Sequence, residues 1–148
     1  MGTSNLWQQN LNNMIKNFYY SVWADCILQA QKAPAIKGYW KFITLFIVSL
    51  SMGFNYGFIM VFLPKSINPL AYIRITIFQV AAFNDLLNSI ILYILPSITL
   101  NYFVIFHKNK YKQITLHYKF RNGQLFKNYF LISLWVPIIT LVIAKFLF

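Results

Sequence analysis

Residues 42–63 read FITLFIVSLSMGFNYGFIMVFL, 22 positions without a charge. As a helix rising about 1.5 Å per residue, such a run crosses a bilayer core roughly 30 Å thick. No water reaches the backbone there, so the peptide groups must bond to one another, and helix is the available solution. Ser49, Gly53 and Gly57 recur four apart and place a shallow groove along one helix face, where another backbone can approach. Asn55 lies among them, at a depth where a polar side chain wants a partner on a neighbouring helix.

The rest of the chain follows from this span. Only 10% of the 148 residues are charged and 59% are hydrophobic. About 25% charge is usual for a soluble domain, so this chain lacks the means to cover a water-facing surface. A second span is expected over residues 86–106, LLNSIILYILPSITLNYFVIF, with Asn88 and Asn101 facing other helices and a kink at Pro96. A third is expected over 129–148, with Pro137 inside it and Lys145 near its end. Pro64 and Lys65 close the first span. Between spans one and two, Ile73, Ile75 and Ile77 alternate with Arg74, Thr76 and Phe78, a strand-like pattern. An isolated strand leaves its backbone groups unpaired in lipid, so a short interfacial helix is expected there. Asp85 is then expected to cap the second span.

The first 33 residues predict an amphipathic helix lying in the membrane interface. Its apolar positions step by three and four through Leu6/Trp7, Leu11, Met14/Ile15, Phe18/Tyr19, Val22/Trp23 and Cys26/Ile27. Pro34 stops the pattern. The other face is mostly amides with Lys16 and Asp25, so docking on protein competes with docking on lipid. Met14 is an alternative start. The fold class is therefore an all-α membrane protein: three transmembrane helices preceded by an interfacial helix.

Charge sets the orientation. The segment 107–128 carries Lys108, Lys110, Lys112, Lys119, Arg121 and Lys127 and no acid, with a turn at Asn122-Gly123. Basic loops stay cytoplasmic. That places the N-terminus inside as well, with Lys16, Lys32, Lys37 and Lys41, and leaves Lys65, Arg74 and Lys145 outside. The C-terminus is expected outside. The same six cations suit anionic headgroups, each contributing about 1 kcal/mol. Membrane topology explains the net charge of +11 more simply than nucleic acid binding.

Chemistry is sparse. Carboxylate pairs need two positioned groups, and the only acids, Asp25 and Asp85, fall at opposite membrane faces in this topology. His107 and His117 lie among lysines that repel a metal cation. Cys26, the lone cysteine, lies on the apolar face, where burial leaves a thiol inert. No catalytic residue, metal site or cofactor is expected.

The segments FYYSVWAD (18–25), LPSITLNYFVIF (95–106) and YKFRNGQLFKNYFLIS (118–133) resemble a loose group of small bacterial multi-pass membrane proteins. That resemblance implies residence in a bacterial cytoplasmic membrane and no activity. An organellar inner membrane also fits the abundance of Lys, Asn, Ile, Phe and Tyr. The expected role is a non-catalytic subunit or interaction protein, meeting other membrane subunits or its own copies. An oligomeric pore former or small transporter component is the alternative.

Overall fold

The structure, a computed structural model, describes residues 3–63 and 68–147, with side chains from residue 7 onward except at 61, 62, 69, 71, 141 and 143–147. Among the described residues it is all-helical, without a strand. Six α-helices occur in order: α1 (Thr3–Lys32), α2 (Trp40–Phe62), α3 (Ala81–Ser89), α4 (Leu95–Asn101), α5 (Lys110–His117) and α6 (Gln124–Leu147). Among the described residues two stretches, Trp40–Met60 and Ala81–His117, are by length and composition long and apolar enough to cross a membrane. Pro64 and Lys65 lie outside the described residues; α2 ends at Phe62.

The chain divides into two compact units. The first comprises Met1–Thr44 and Lys108–Tyr129. Here α5 packs along α1. The core is the second half of α1, where Val22, Trp23, Ala24, Asp25, Cys26 and Ile27 are consecutively buried, joined by Ala30, Tyr111 and Ile114. A helix enclosed on every side is no longer amphipathic, so the amphipathic pattern expected for all of α1 does not hold over its second half. In the first half residues 7–18 are exposed throughout. Pro34 ends α1 as expected and opens a 3₁₀ turn, Pro34–Ile36.

The basic segment is more ordered than a loop. Lys108 and Asn109 both take positive φ (53° and 57°), reversing the chain into α5. The chain then turns at Asn122 (φ 55°) and Gly123 (φ 74°), with Gln124 N–H bonded to Arg121 O at 3.1 Å. Positive φ at both central residues is the type I′ pattern that Asn-Gly favours. Helix α6 starts immediately afterwards.

The second unit comprises Leu45–His107 and Phe130–Phe148. From Ala81 to Phe106 it is helical but interrupted by two π-turns, Ile90–Ile94 and Tyr102–Phe106, closed by Leu95 N–H to Ile90 O and His107 N–H to Tyr102 O. The first precedes Pro96, whose ring excludes the carbonyl four residues back; a wider turn accommodates it. Ahead of α3 the structure departs from the expected short helix. A 3₁₀ turn, Pro69–Tyr72, leads through an extended Ile73 (φ −89°, ψ 112°) into residues 74–77, which are neither helix nor strand.

Candidate functional site

The most constrained polar group is Asp25, wholly buried in the first unit. Its Oδ1 accepts from Arg121 N–H at 2.8 Å and Gly123 N–H at 3.0 Å, and its Oδ2 from Phe126 N–H at 3.2 Å. With Gln124 as the first residue of α6, Phe126 is the third, the N–H that a capping side chain normally serves. The cap position falls to Gly123, which has no side chain, so a carboxylate from another helix does the work. The partial positive charge at a helix start favours an anion there. Gly123 is also required sterically: a Cβ at that site would sit 3.0 Å from Gln29 Cγ. Asp25 is therefore a structural tether between α1 and the start of α6, not a polar-face residue.

Around this tether Tyr118 Oη bonds Asn17 Oδ1 at 3.2 Å, and the Lys32 ammonium lies 3.9 Å from the Phe120 ring centroid. Lys41 stands 5.2 Å from the Tyr111 ring, which meets Trp40 edge-on at 5.3 Å. Cys26, beside Asp25, is buried, and burial followed by the neighbouring carboxylate pushes its thiol up to about 12. The thiolate is thereby suppressed at neutral pH. Burial likewise raises the Tyr19 phenol.

The electrostatics of this unit are one-sided. It holds Lys16, Lys32, Lys37, Lys41 and the six basic residues of 108–127, ten of the chain's thirteen cations, and a single acid. That acid, Asp25, is sealed inside. Lys108, Lys110, Lys112, Lys119, Arg121 and Lys127 are all exposed. Trp7, Leu11, Met14, Ile15 and Phe18 form an exposed apolar stripe along the first half of α1.

In the second unit the small-residue stripe of α2 meets the first π-turn. A Cβ built on Gly53 would lie 3.1 Å from Ile94 Cα and 3.2 Å from Tyr93 O; one on Gly57 would lie 3.1 Å from the Tyr93 ring. Glycine is what allows this approach. Ser49, fully buried, accepts at Oγ from Asn101 Nδ2 at 2.9 Å, and Asn101 also reaches Met52 Sδ at 3.3 Å. Asn55 Nδ2 donates to Ser133 Oγ on α6 at 2.9 Å. A cavity of about 420 Å³ opens beside the stripe, lined by Gly53, Gly57, Tyr93, Ser133, Pro137 and Ile138 among others. Its walls are apolar and suit hydrocarbon rather than an ion.

Two sequence expectations change here. Asn88 bonds not another helix but the irregular segment ahead of α3: its Oδ1 accepts from Ile75 N–H and its Nδ2 donates to Ile75 O. Asp85 does not cap α3, which begins after Val80; it lies 3.9 Å from Arg74 at the surface. Asn84, which drew no notice in the sequence, is the more buried of the two asparagines. Its i, i+4 spacing from Asn88, ahead of an alternating segment, was the available signal. His107 lies against Phe103 and His117 against Tyr118. Among the described residues no three His, Cys, Asp or Glu side chains gather into a metal-binding group. No protein-family model, curated protein or solved structure matches the chain.

Proposed function

We propose that the chain is a three-span membrane protein without a catalytic role, whose work is to dock other membrane subunits. The observation that carries this reading is how the polar groups are spent. Asn55, Asn101, Ser49 and Ser133 tie helices together, and the Asp25 carboxylate is filled by three backbone donors. The second unit turns large apolar side chains outward instead, including Phe54, Leu100, Phe103 and Trp135.

In this reading α2, the Ala81–Phe106 stretch and α6 cross the membrane. The first half of α1 lies in the interface, with Trp7 and Phe18 at headgroup level. The ten cations of the first unit face the anionic cytoplasmic leaflet of a bacterial inner membrane. The N-terminus is inside and the C-terminus outside. Purification of the tagged chain in mild detergent tests the role: a stoichiometric partner protein supports it. A homo-oligomer that conducts in planar bilayers supports the competing pore reading. Reporter fusions after residue 148 and within 108–127 test the topology; reports from the same side refute three spans.

A further inference from the structure

The segment between α2 and α3 runs without helix or strand at residues 73–77, and such backbone presents N–H and C=O groups that lipid cannot satisfy. In this unit α3 satisfies those of Ile75 and Phe78 and the N–H of Ile77 with two side chains on one face. Asn84 Oδ1 accepts from Ile77 N–H at 2.9 Å and Phe78 N–H at 2.8 Å, and its Nδ2 donates to Phe78 O at 2.7 Å. One turn on, Asn88 pairs with Ile75 through both its carboxamide atoms, at 2.9 and 3.0 Å. A carboxamide has the donor and acceptor of a peptide group, so the two asparagines act as a surrogate neighbouring strand. The Asn88 Nδ2 also closes on Asn84 O at 2.8 Å.

The side chains of the same stretch point the other way. Tyr72, Ile77, Phe78, Val80 and Phe83 are each more than half exposed. Its one charge, Arg74, lies 3.9 Å from Asp85 of α3. Arg74, Thr76 and Gln79 are exposed among them, but the large side chains turned outward are apolar and the backbone of Ile75, Ile77 and Phe78 is bonded inward. That surface runs on into Leu86 and Ile90 of the apolar Ala81–His117 stretch.

We propose that residues 72–83 are a lipid-inserted wedge, held at the acyl–headgroup boundary of the bilayer by the asparagine-sealed backbone. Its occupant is lipid, because the surface is continuous with that of a span and balanced in charge. The inference rests on the reading that Ala81–Phe106 crosses the membrane.

The test places nitroxide labels at Ile77→Cys and Phe78→Cys in proteoliposomes, with Leu100→Cys as a span control and Lys110→Cys as a basic-segment control. Collisions with oxygen report lipid, and collisions with a neutral nickel chelate report water. The labels at 77 and 78 are expected to meet oxygen severalfold more than nickel, as the label at 100 does, with the reverse at 110. Nickel access at 77 and 78 with oxygen access at 100 overturns the wedge and leaves the span reading intact. Exclusion of both reagents at 77 and 78 means protein covers the segment, which also overturns it. Nickel access at 100 overturns the span reading and the wedge together.

Discussion

Removing the Asp25 carboxylate tests the tether between α1 and the start of α6. Asp25→Ala takes the acceptor from three N–H groups held at 2.8, 3.0 and 3.2 Å. Each bond to a charged group contributes roughly 1.5–3 kcal/mol, and each orphaned buried donor costs about 1–3 kcal/mol. Relief of the buried charge offsets part of this loss, so a net destabilisation of about 3–5 kcal/mol is expected, in line with broken buried ionic networks. Asp25→Asn is isosteric but has one acceptor oxygen. Either Phe126 N–H or the Arg121 and Gly123 pair then faces an NH₂ group, and a loss of about 2 kcal/mol follows. The assay is supplied by the chain itself. Cys26, the only cysteine and buried next to Asp25, reacts with a fluorogenic maleimide only when the unit opens. The temperature of thiol exposure in detergent should fall by roughly 10 °C for Asp25→Ala and by less for Asp25→Asn. Gly123→Ala should weaken the same unit through strain at φ +74°, and its effect should not add to that of Asp25→Ala, since the two share one network. An Asp25→Ala protein that opens at the wild-type temperature would refute the tether.

Other perturbations have equally definite outcomes. Gly53→Ala should cost about 1–3 kcal/mol by overpacking, because its Cβ would lie 3.1 Å from the Ile94 backbone; Leu50→Ile should cost less than about 1.5 kcal/mol when both are measured by thermal stability in detergent. The Cys26 thiol, pushed up from 9.0 to about 12, binds its proton more tightly folded than unfolded. Its contribution is therefore constant below pH 9 and is lost as pH rises toward 12, by about 1.4 kcal/mol per pH unit, and the loss should be smaller in Cys26→Ala. Trp7→Asp should reduce binding to anionic vesicles without lowering thermal stability, whereas Trp23→Asp should collapse the first unit, because Trp7 is 78% exposed and Trp23 is fully buried.

What was legible in the sequence divides along physical lines. The uncharged run from Phe42, the stop at Pro34 and the Asn122-Gly123 turn are local signals, set by transfer energy and by allowed φ, and each has its counterpart in the structure. Ser49, Gly53 and Gly57 were legible as a groove, but not what fills it, since Tyr93 and Ile94 lie some forty residues further on. The polar face assigned to α1 failed at Asp25 because helical periodicity cannot tell a residue facing water from one facing three N–H groups 96 to 101 positions away. The alternation at residues 73–77 hints at a strand that lacks a partner strand, and the structure forms neither strand nor the expected short helix there. The partner is a pair of side chains, which secondary-structure reasoning does not count.

The choice between Asp and Asn at these two places obeys one rule, and exchanging them tests it. Asp25 meets donors alone, so an acceptor-only carboxylate fits and its charge is met by three dipoles. Asn84 meets two donors, Ile77 and Phe78 N–H, and one acceptor, Phe78 O, so it must both accept and donate. Asn84→Asp keeps shape and volume but turns an ionised oxygen against Phe78 O. The protonated acid, however, restores a donor at that position. The folded state of the variant should therefore favour the neutral form, so acid conditions, which supply that proton, stabilise it relative to neutral pH. Measured in detergent, Asn84→Asp should approach wild-type thermal stability near pH 4 and fall away by pH 7, by about 2 kcal/mol or more. The wild type should show no matching loss over that range. A deficit that stays constant with pH would mean that the variant suffers from something other than acceptor against acceptor, and the strand-surrogate account of Asn84 would have to be abandoned.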